Sequence, residues 1–409
     1  MNRRTFLQVV GTAGARAAGV GCVRGAPAAP AGSAAGPKFR VAVVGCGRWA
    51  TAMTEVALQS GRARILATAD PLLSRAAALR DAAKARSRWQ HISACDDLES
   101  ALADDRIDAV ILGVPEHGCL EALRSCARRS LPVLARAPLA HSAQDSEAAA
   151  ALVSDGRICV ALPAEADAGL RALRARIEDG AIGTPRSVKV FVSIPGGRRE
   201  RPGAPVEPAA DVNWEKWCGP VGDSPCLPSL TQRTLPAYAG WRWHLRYGSG
   251  PMGGSAPHWL GALATLLPLQ RPEAVYSIGR RVVLGSPLRW PDGAATSDAP
   301  DHQIACLRLP ALDVTWEHRL VGVREKDCPA SHAVISGDCG QVHLAADGGW
   351  TVSGQETASG RWLGPLNEAG VNSAVWANFL SALDAPATRA SASLRIATDW
   401  VVWSMAAYQ

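Results

Sequence analysis

The chain has 409 residues, of which 47% are hydrophobic and 20% charged, and this composition is typical of a soluble globular protein with two domains. Its net charge is +6, or +2 when the four arginines of its first 24 residues are left out. A body this weakly basic excludes nucleic acid and anionic membrane surfaces as expected partners.

Residues 1–36 are predicted to be an export signal followed by a linker. Arg3 and Arg4 precede a Gly/Ala-rich apolar run that ends near Val23 and gives way to small residues and prolines. The run is too short and too rich in glycine to span a bilayer, but it has the order of a signal peptide. It resembles a twin-arginine signal, so we expect a periplasmic or other extracytoplasmic location. A disordered basic N-terminus is the alternative.

The eleven cysteines include no C-x-x-C pair, so the sequence predicts neither a zinc site nor any other metal centre. A lipid anchor at Cys22 is disfavoured, because Gly19 stands where such a motif prefers leucine. Two pairs have a spacing that allows a disulfide in an oxidising compartment: Cys218 with Cys226, and Cys328 with Cys339.

From Phe39 to Leu162, short apolar segments alternate with helical ones. The pattern predicts strands at "FRVAVVG", "ARILATAD", "QHIS", "DAVILGV", "PVLAR" and "RICVAL", with helices at 48–60, 72–85, 97–103, 120–129 and 142–154. Strands that are apolar on both faces and separated by single helices indicate a parallel sheet covered on both sides. We therefore predict an α/β fold with a doubly wound Rossmann domain over residues 37–163.

The pattern changes over residues 164–409. A helix at 167–183 leads to a strand at 185–194 and a basic Pro/Gly-rich loop, and then strand-like segments follow one another: 273–284, 304–309, 313–322, 332–337, 340–346 and 350–354. This predicts an α+β domain with a large open mixed or antiparallel sheet. Two closing helices, at 373–383 and 391–408, are expected to pack back toward the Rossmann domain.

The first strand ends in a turn that is typical of dinucleotide-binding proteins. Gly45, Gly47 and Ala50 have the spacing G-x-G-x-x-A, in which the glycines allow a tight turn and a close approach of pyrophosphate to the helix N-terminus. Asp70 follows 25 residues after Gly45, close to the position of an acid that binds ribose hydroxyls. We therefore expect NAD as the cofactor, with NADP possible because Arg75 lies nearby in sequence.

Two blocks of the chain resemble the Gfo/Idh/MocA oxidoreductases, named after glucose-fructose oxidoreductase and inositol dehydrogenase. The first block contains the glycine turn, "TADP", "DDLESALADDRIDAVILGVPEH" and "PVLARAPLA"; the second, "VNWEKWCGP" to "GWRWHLRYGSGPMGGSAPHWLGA", is similar to the Trp-rich C-terminal domain of the family's exported branch. The resemblance implies NAD(P)-dependent hydride transfer at a hydroxyl-bearing carbon of a sugar or cyclitol. It also implies a homo-oligomer built through the C-terminal sheet.

The catalytic turn of that family is only partly present. Where it carries Glu-Lys-Pro, with the lysine as acid/base partner of the substrate hydroxyl, this chain has Arg136, Ala137 and Pro138. Arginine cannot act as the base, because its pKa keeps it charged at any working pH. No other lysine occurs between Lys84 and Lys189.

The second catalytic block of the family, an aspartate, a histidine four residues on and an aspartate three beyond, is represented here by Gly254, His258 and Gly261. His258 is the candidate catalytic residue, since an imidazole can serve as general acid/base near neutral pH. A histidine satisfied inside a Trp-rich core is the alternative.

The resemblance also assigns residues around the cofactor and the substrate. Pro115, His117 and Pro138 are candidates for the cofactor site, and His117 is alternatively a solvated loop residue. Trp241, Trp243 and His244 are candidates for the substrate pocket, with a structural role as the alternative for both tryptophans.

Three functions remain open from the sequence. The first is an exported NAD(P)-dependent oxidoreductase with altered acid/base residues. The second is a non-catalytic relative that acts as a ligand-binding or assembly protein. The third retains NAD as a bound redox prosthetic group for glycoside cleavage.

Overall fold

The computed structural model describes residues 38–87, 89–154, 156–162, 167–193, 205–222, 224–227, 230, 240–270, 272–282, 298–319, 331–364 and 368–384. The predicted export signal, the closing helix predicted at 391–408 and Cys328 lie outside the described residues. The described residues form one compact unit.

Six parallel strands form the first sheet, in the order β3-β2-β1-β4-β5-β6. They are β1 (Phe39–Val44), β2 (Ala63–Ala69), β3 (Ser93–Cys95), β4 (Ala109–Leu112), β5 (Val133–Ala135) and β6 (Ile158–Val160). Five helices connect them: α1 (Arg48–Gln59), α2 (Leu73–Ala85), α3 (Leu98–Ala101), α4 (Glu116–Arg128) and α5 (Ala143–Ser154). The predicted doubly wound Rossmann sheet is confirmed, and its order reverses between β1 and β4 as in other folds of this class.

Eight strands form the second sheet, in the order β14-β13-β12-β11-β7-β10-β9-β8. They are β7 (Pro185–Ser193), β8 (Ala274–Arg280), β9 (His302–Arg308), β10 (Asp313–Arg319), β11 (Ser331–Gly337), β12 (Gln341–Ala345), β13 (Gly349–Ser353) and β14 (Thr357–Arg361). Only β7 and β10 pair in parallel, so the predicted mixed sheet is confirmed. Strand β14 was not predicted, because the sequence "TASGR" has no alternation of large apolar residues.

Four more helices accompany this sheet: α6 (Ala168–Glu178), α7 (Trp214–Cys218), α8 (Gly250–Leu266) and α9 (Glu368–Asp384). Helix α8 was missed by the sequence prediction, because it contains four glycines and two prolines, which disfavour helix. Twelve of its 17 residues are buried, and the burial of this apolar surface outweighs the poor propensity.

Two hydrophobic cores cover the two faces of the Rossmann sheet. On one face, residues of β4, β5 and α4 share a core with α6, α8 and the inner face of the second sheet. On the other face, Val375, Trp376 and Phe379 of α9 pack with α1 and α2. Asp384 at the end of α9 forms ion pairs with Lys38 and Arg62, which directly precede β1 and β2. Helix α9 therefore lies against the Rossmann domain.

None of the described helices is long and apolar enough to cross a membrane.

Candidate functional site

The turn after β1 is fixed by contact with the end of β4. Gly45 has a φ of +81°, and a Cβ on it would lie 2.6 Å from the backbone carbon of Gly113. Its N–H donates to the carbonyl of Ala69 at 2.8 Å, which joins the turn to β2. Only glycine fits this position, both for its backbone conformation and for the space around it.

Gly47 differs from Gly45, because it borders open space. Its φ is −75°, and no heavy atom of the described residues lies within 4 Å of a Cβ built on it. It is the N-cap of α1, whose first turn has neither a side-chain cap nor an acidic residue. Ala50, one turn on, is buried, and its Cβ lies 3.0 Å from the place of a Cβ on Gly113. The N-terminus of α1 therefore has no side-chain cap, and the residue before it, Gly47, has no side chain.

Asp70, directly after β2, is buried beside this turn. One carboxylate oxygen accepts a hydrogen bond from the N–H of Cys46 at 2.8 Å, and the other accepts from the N–H of Leu72 at 2.9 Å. Burial raises the pKa of Asp70, while the two backbone donors and nearby Arg75 act in the opposite direction. Each oxygen keeps a lone pair for another donor.

His117 lies in the first turn of α4 and is only 4% exposed. Its Nε2 is 2.8 Å from the carbonyl of Trp217 and its Nδ1 is 3.2 Å from the carbonyl of Tyr247. Burial lowers its pKa to about 4. The alternative of a solvated loop residue is therefore wrong. Because both ring nitrogens face protein carbonyls, only the carbon atoms of the ring could contact a cofactor. Pro115 is the N-cap of the same helix.

Glu116, next to His117, joins the Rossmann domain to α8. The carboxylate is 2% exposed, and its Oε2 accepts hydrogen bonds from the N–H of Ser249, at 2.6 Å, and from the Ser249 hydroxyl. Its Oε1 accepts from Nε of Arg242 at 3.3 Å. Burial raises the pKa of Glu116, against the effect of Arg242 and Ser249. Since Ser249 is the N-cap of α8, this carboxylate lies at the positive end of that helix.

The residues directly after β5 lie at the carboxyl end of the parallel sheet, as do the turn after β1 and the start of α4. The N–H of Arg136 donates to the carbonyl of Leu112 at 3.1 Å, Ala137 is buried, and the Ala137–Pro138 peptide bond is cis. Ala137 presents only a methyl group where the resemblance places a lysine.

His258 lies on α8 and is half-buried. Its Nδ1 atom is buried and makes no hydrogen bond within the described part of the chain. Burial, together with the positive charges of Arg136 and Arg242, lowers its pKa to about 4. The ring is therefore neutral at pH 7, and its Nδ1 is a buried nitrogen without a partner among the described residues.

The substrate candidates lie in the segment that leads into α8. Trp241 is half-buried, and the guanidinium of Arg242 stacks on it at 4.3 Å from the ring centre. Trp243 and His244 are buried, and burial lowers the pKa of His244 to about 4. The carbonyl of Trp243 accepts from the N–H of Ala299, which fits the structural alternative for this residue.

No disulfide joins Cys218 to Cys226 in this structure, so the suggested bond between them does not form here. Over the described residues, no group of three or more His, Cys, Asp or Glu side chains is placed to hold a metal ion.

Glu116 and Arg242 were not predicted from the sequence as site residues. Both lie in motifs, "VPEHG" and "WRWH", whose histidines and tryptophans were the predicted site residues. The ion pair between them joins residues 126 positions apart, and the only sequence signal was two charged residues within apolar surroundings.

The parallel sheet and its glycine turn define the first domain as a Rossmann fold. Residues 39–161 match the model of an oxidoreductase family with an NAD-binding Rossmann fold, Gfo/Idh/MocA. The N-terminal domain of this chain is therefore similar to the NAD-binding domain of that family. No curated protein matches the chain in sequence.

Solved structures share the fold of most of the chain. They include a levoglucosan dehydrogenase in complex with NADH and levoglucosan (TM-score 0.64, 16% identity, 90% of this chain and 95% of that chain). An oxidoreductase from Thermotoga maritima has a TM-score of 0.61 at 15% identity, covering 90% and 96%. A myo-inositol dehydrogenase from Corynebacterium glutamicum has 0.56 at 13% identity, covering 91% and 96%. At these identities the likeness concerns the fold alone.

Proposed function

We propose that this chain is an NAD(P)-dependent oxidoreductase that transfers hydride at a hydroxyl-bearing carbon of a sugar or cyclitol, with His258 as its acid/base residue. The observation that carries the proposal is the pairing of Gly47, which borders open space, with Asp70, which is fixed beside the same turn. The levoglucosan dehydrogenase of the same fold is a complex with NADH and levoglucosan, which supports this substrate class.

The residues around the turn fit a dinucleotide. Backbone N–H groups at the uncapped start of α1 would hold the pyrophosphate, and Gly47 leaves room for it. Asp70 would accept hydrogen bonds from the ribose hydroxyls, and its negative charge favours NAD over NADP. When bound, the nicotinamide supplies the hydride acceptor.

The remaining chemistry is the removal of a proton from the substrate hydroxyl. His258 is suited to it, because the ring is neutral at pH 7 and Nδ1 has no partner among the residues described. Arg136 stays charged and cannot take the proton.

A non-catalytic binding protein is the second candidate, and the lack of a lysine favours it. The four lysines of the described residues are engaged or located elsewhere: Lys38 and Lys216 in ion pairs with aspartates, Lys84 on α2, and Lys189 exposed on β7. Gly254 and Gly261 also lack the carboxylates that would orient the ring of His258.

The test begins with denaturation of the purified protein and identification of any released nucleotide, followed by titration with NAD⁺ and NADP⁺. Oxidation of a panel of sugars and cyclitols is then compared among wild type, His258→Gln, Ala137→Lys and Ala137→Met, the last as a control without the amine. We expect nucleotide binding in all four and a loss of about 10²-fold or more in His258→Gln. Ala137→Lys, but not Ala137→Met, is expected to increase turnover.

Failure to bind either nucleotide contradicts the proposed function. Nucleotide binding without turnover, in wild type and in Ala137→Lys, supports the non-catalytic candidate.

We also propose export through the twin-arginine signal predicted at residues 1–36. Fusion of this segment to a reporter that is active only after export, with an Arg3→Lys/Arg4→Lys double variant as control, tests it. Export that does not depend on the two arginines contradicts this route.

A homo-oligomer formed through the second sheet completes the proposal. Its support is the outer face of β8 and β9, where Tyr276, Ile278 and Ile304 are 65%, 48% and 38% exposed. Exposed apolar residues that form a contiguous patch are typical of an interface.

A further inference from the structure

The segment before α8 carries a buried arginine that the proposed hydride transfer does not use. Arg242 is 8% exposed, its guanidinium lies against the ring of Trp241, and its Nε donates to Glu116. No acceptor within the described residues is bonded to its terminal nitrogens, Nη1 and Nη2. The side chain is 10% exposed, so these two donors are left for a ligand in surroundings where water competes little.

Glu116 fixes the direction in which this guanidinium points. Its carboxylate is held by two hydrogen bonds from Ser249, so that its position is set by the start of α8 as well as by α4. By accepting from Nε, it occupies one edge of the guanidinium of Arg242 and leaves the edge formed by Nη1 and Nη2. Two parallel N–H groups on one edge match the two oxygens of a carboxylate.

The charges around His258 favour an anion at the same place. Arg136 and Arg242 both lower the pKa of His258, and the carboxylate of Glu116 faces the same two guanidinium groups. The neighbouring positions Ala137, Gly254 and Gly261 add no negative side chain. An anionic group beside His258 would therefore meet two guanidinium charges and the single carboxylate of Glu116, which leaves a net attraction in surroundings where screening by water is weak.

We propose that Arg242 binds a carboxylate of the substrate through Nη1 and Nη2, so that the site takes an acidic sugar, such as a uronate, in preference to a neutral one. Glu116 is the positioning residue for this contact. The proposal rests on the proposed function, because it names the substrate class of the same site.

Calorimetric binding to the full-length protein tests it without requiring turnover. NAD⁺ is titrated first, and the NAD⁺-loaded protein is then titrated with two matched pairs: D-glucuronate against D-glucose, and D-galacturonate against D-galactose. We expect at least one uronate to bind about 10- to 100-fold more tightly than its neutral partner.

Three variants test which residues produce the preference for uronates. Arg242→Gln is expected to remove it, and Arg242→Lys to reduce it, because an ammonium keeps the charge but not the paired N–H groups. Glu116→Gln is expected to lower the ratio of uronate to neutral affinity, whereas a merely structural role would weaken both sugars alike. Arg174→Gln, at an exposed arginine on α6, is the control. Unchanged NAD⁺ affinity and thermal unfolding show that each variant is folded.

The outcomes separate the two proposals. Absence of NAD⁺ binding contradicts the proposed function. NAD⁺ binding with no uronate binding, with equal affinity for uronate and neutral sugar, or with a preference that survives Arg242→Gln overturns the carboxylate site.

Discussion

The carboxylate of Asp70 accepts a hydrogen bond from the N–H of Cys46, in the middle of the glycine turn, at 2.8 Å. Asp70 therefore has two roles, because the carboxylate that accepts this hydrogen bond within the turn is also the predicted acceptor for ribose hydroxyls. We expect Asp70→Ala to weaken NAD⁺ binding about 10- to 100-fold, because hydrogen bonds to a charged acceptor are lost. Binding of NADP⁺ should suffer less, since a 2′-phosphate no longer meets a negative charge. Titration calorimetry with both nucleotides measures the two effects.

Loss of Asp70 also leaves the N–H groups of Cys46 and Leu72 without their acceptor, at a cost of about 1–3 kcal/mol in the free energy of unfolding. Asp81→Ala, at an exposed carboxylate on α2, is the control. Equal NAD⁺ affinity in the Asp70 and Asp81 variants would show that Asp70 does not contact the nucleotide.

The two glycines of the turn should respond to alanine in opposite ways. Gly45→Ala is expected to destabilise the fold by about 2–4 kcal/mol. The φ of Gly45 is +81°, and the new methyl group would lie 2.6 Å from the backbone of Gly113, directly after β4. Gly47→Ala should leave the free energy of unfolding nearly unchanged, since nothing lies within 4 Å of its Cβ. Its NAD⁺ affinity should nevertheless fall about tenfold or more, as the methyl fills the space left for pyrophosphate.

Chemical denaturation and NAD⁺ titration of the same two variants provide the measurement, each serving as the control for the other. Full NAD⁺ affinity in Gly47→Ala would remove the main support for the proposed cofactor site.

The parts of this site that the sequence predicts are those fixed by local spacing. Gly45, Gly47 and Asp70 belong to a single β1–α1–β2 unit, where strand and helix periodicity determine which residues meet. Helix α8 was missed because its glycines and prolines disfavour helix locally, and only burial between α6 and the Rossmann domain stabilises it.

The contact between Glu116 and Arg242 is of another kind. It depends on how the second domain packs against the end of β4. The residues next to Glu116 and Arg242 in sequence do not determine that packing. The ion pair between Glu116 and Arg242 can therefore be predicted only when the positions of both domains are known, although each residue lies in a motif that the sequence shows.

The pH dependence of turnover should report the state of His258. Because burial, and then Arg136 and Arg242, lower its pKa to about 4, the ring is able to accept a proton over the whole range above that value. We expect the acid limb of kcat/KM near pH 4, well below the usual value of an imidazole near 6.5. Arg136→Gln should move the limb upward, since a positive charge is removed. An acid limb that is absent in wild type, or unmoved in Arg136→Gln, would argue against His258 as the base.

The oligomer should depend on the outer face of β8 and β9. Ile278 and Ile304 are directly opposite each other in the antiparallel pair, with Tyr276 on the same face. A Tyr276→Lys/Ile278→Lys double variant is expected to dissociate the assembly, because it places two like charges in an apolar contact. Light scattering after size-exclusion chromatography measures the mass, with Gln341→Lys on β12 as the control. A monomeric wild type contradicts the assembly.

Stability at acidic pH should depend on His318, which is fully buried in β10. Its Nδ1 accepts from Nε1 of Trp316 at 3.2 Å, and its Nε2 donates to the carbonyl of Pro300 at 3.3 Å, so the neutral ring is satisfied. Burial lowers its pKa to about 4 from 6.5. The unfolded chain therefore takes up a proton at higher pH than the folded one, and stability present above pH 6.5 is lost as the pH falls toward 4. Between pH 7 and pH 5, we expect this histidine alone to account for a loss of about 2 kcal/mol.

Urea unfolding at both pH values measures that loss in wild type and in His318→Gln. The variant is expected to be less stable at pH 7 but to lose less on acidification, because it has no imidazole to protonate. His343→Gln, at an exposed histidine of the same sheet, is the control for removal of an imidazole. An equal loss in wild type and His318→Gln would mean that the folded protein accommodates the protonated ring, contrary to its burial between Trp316 and Pro300.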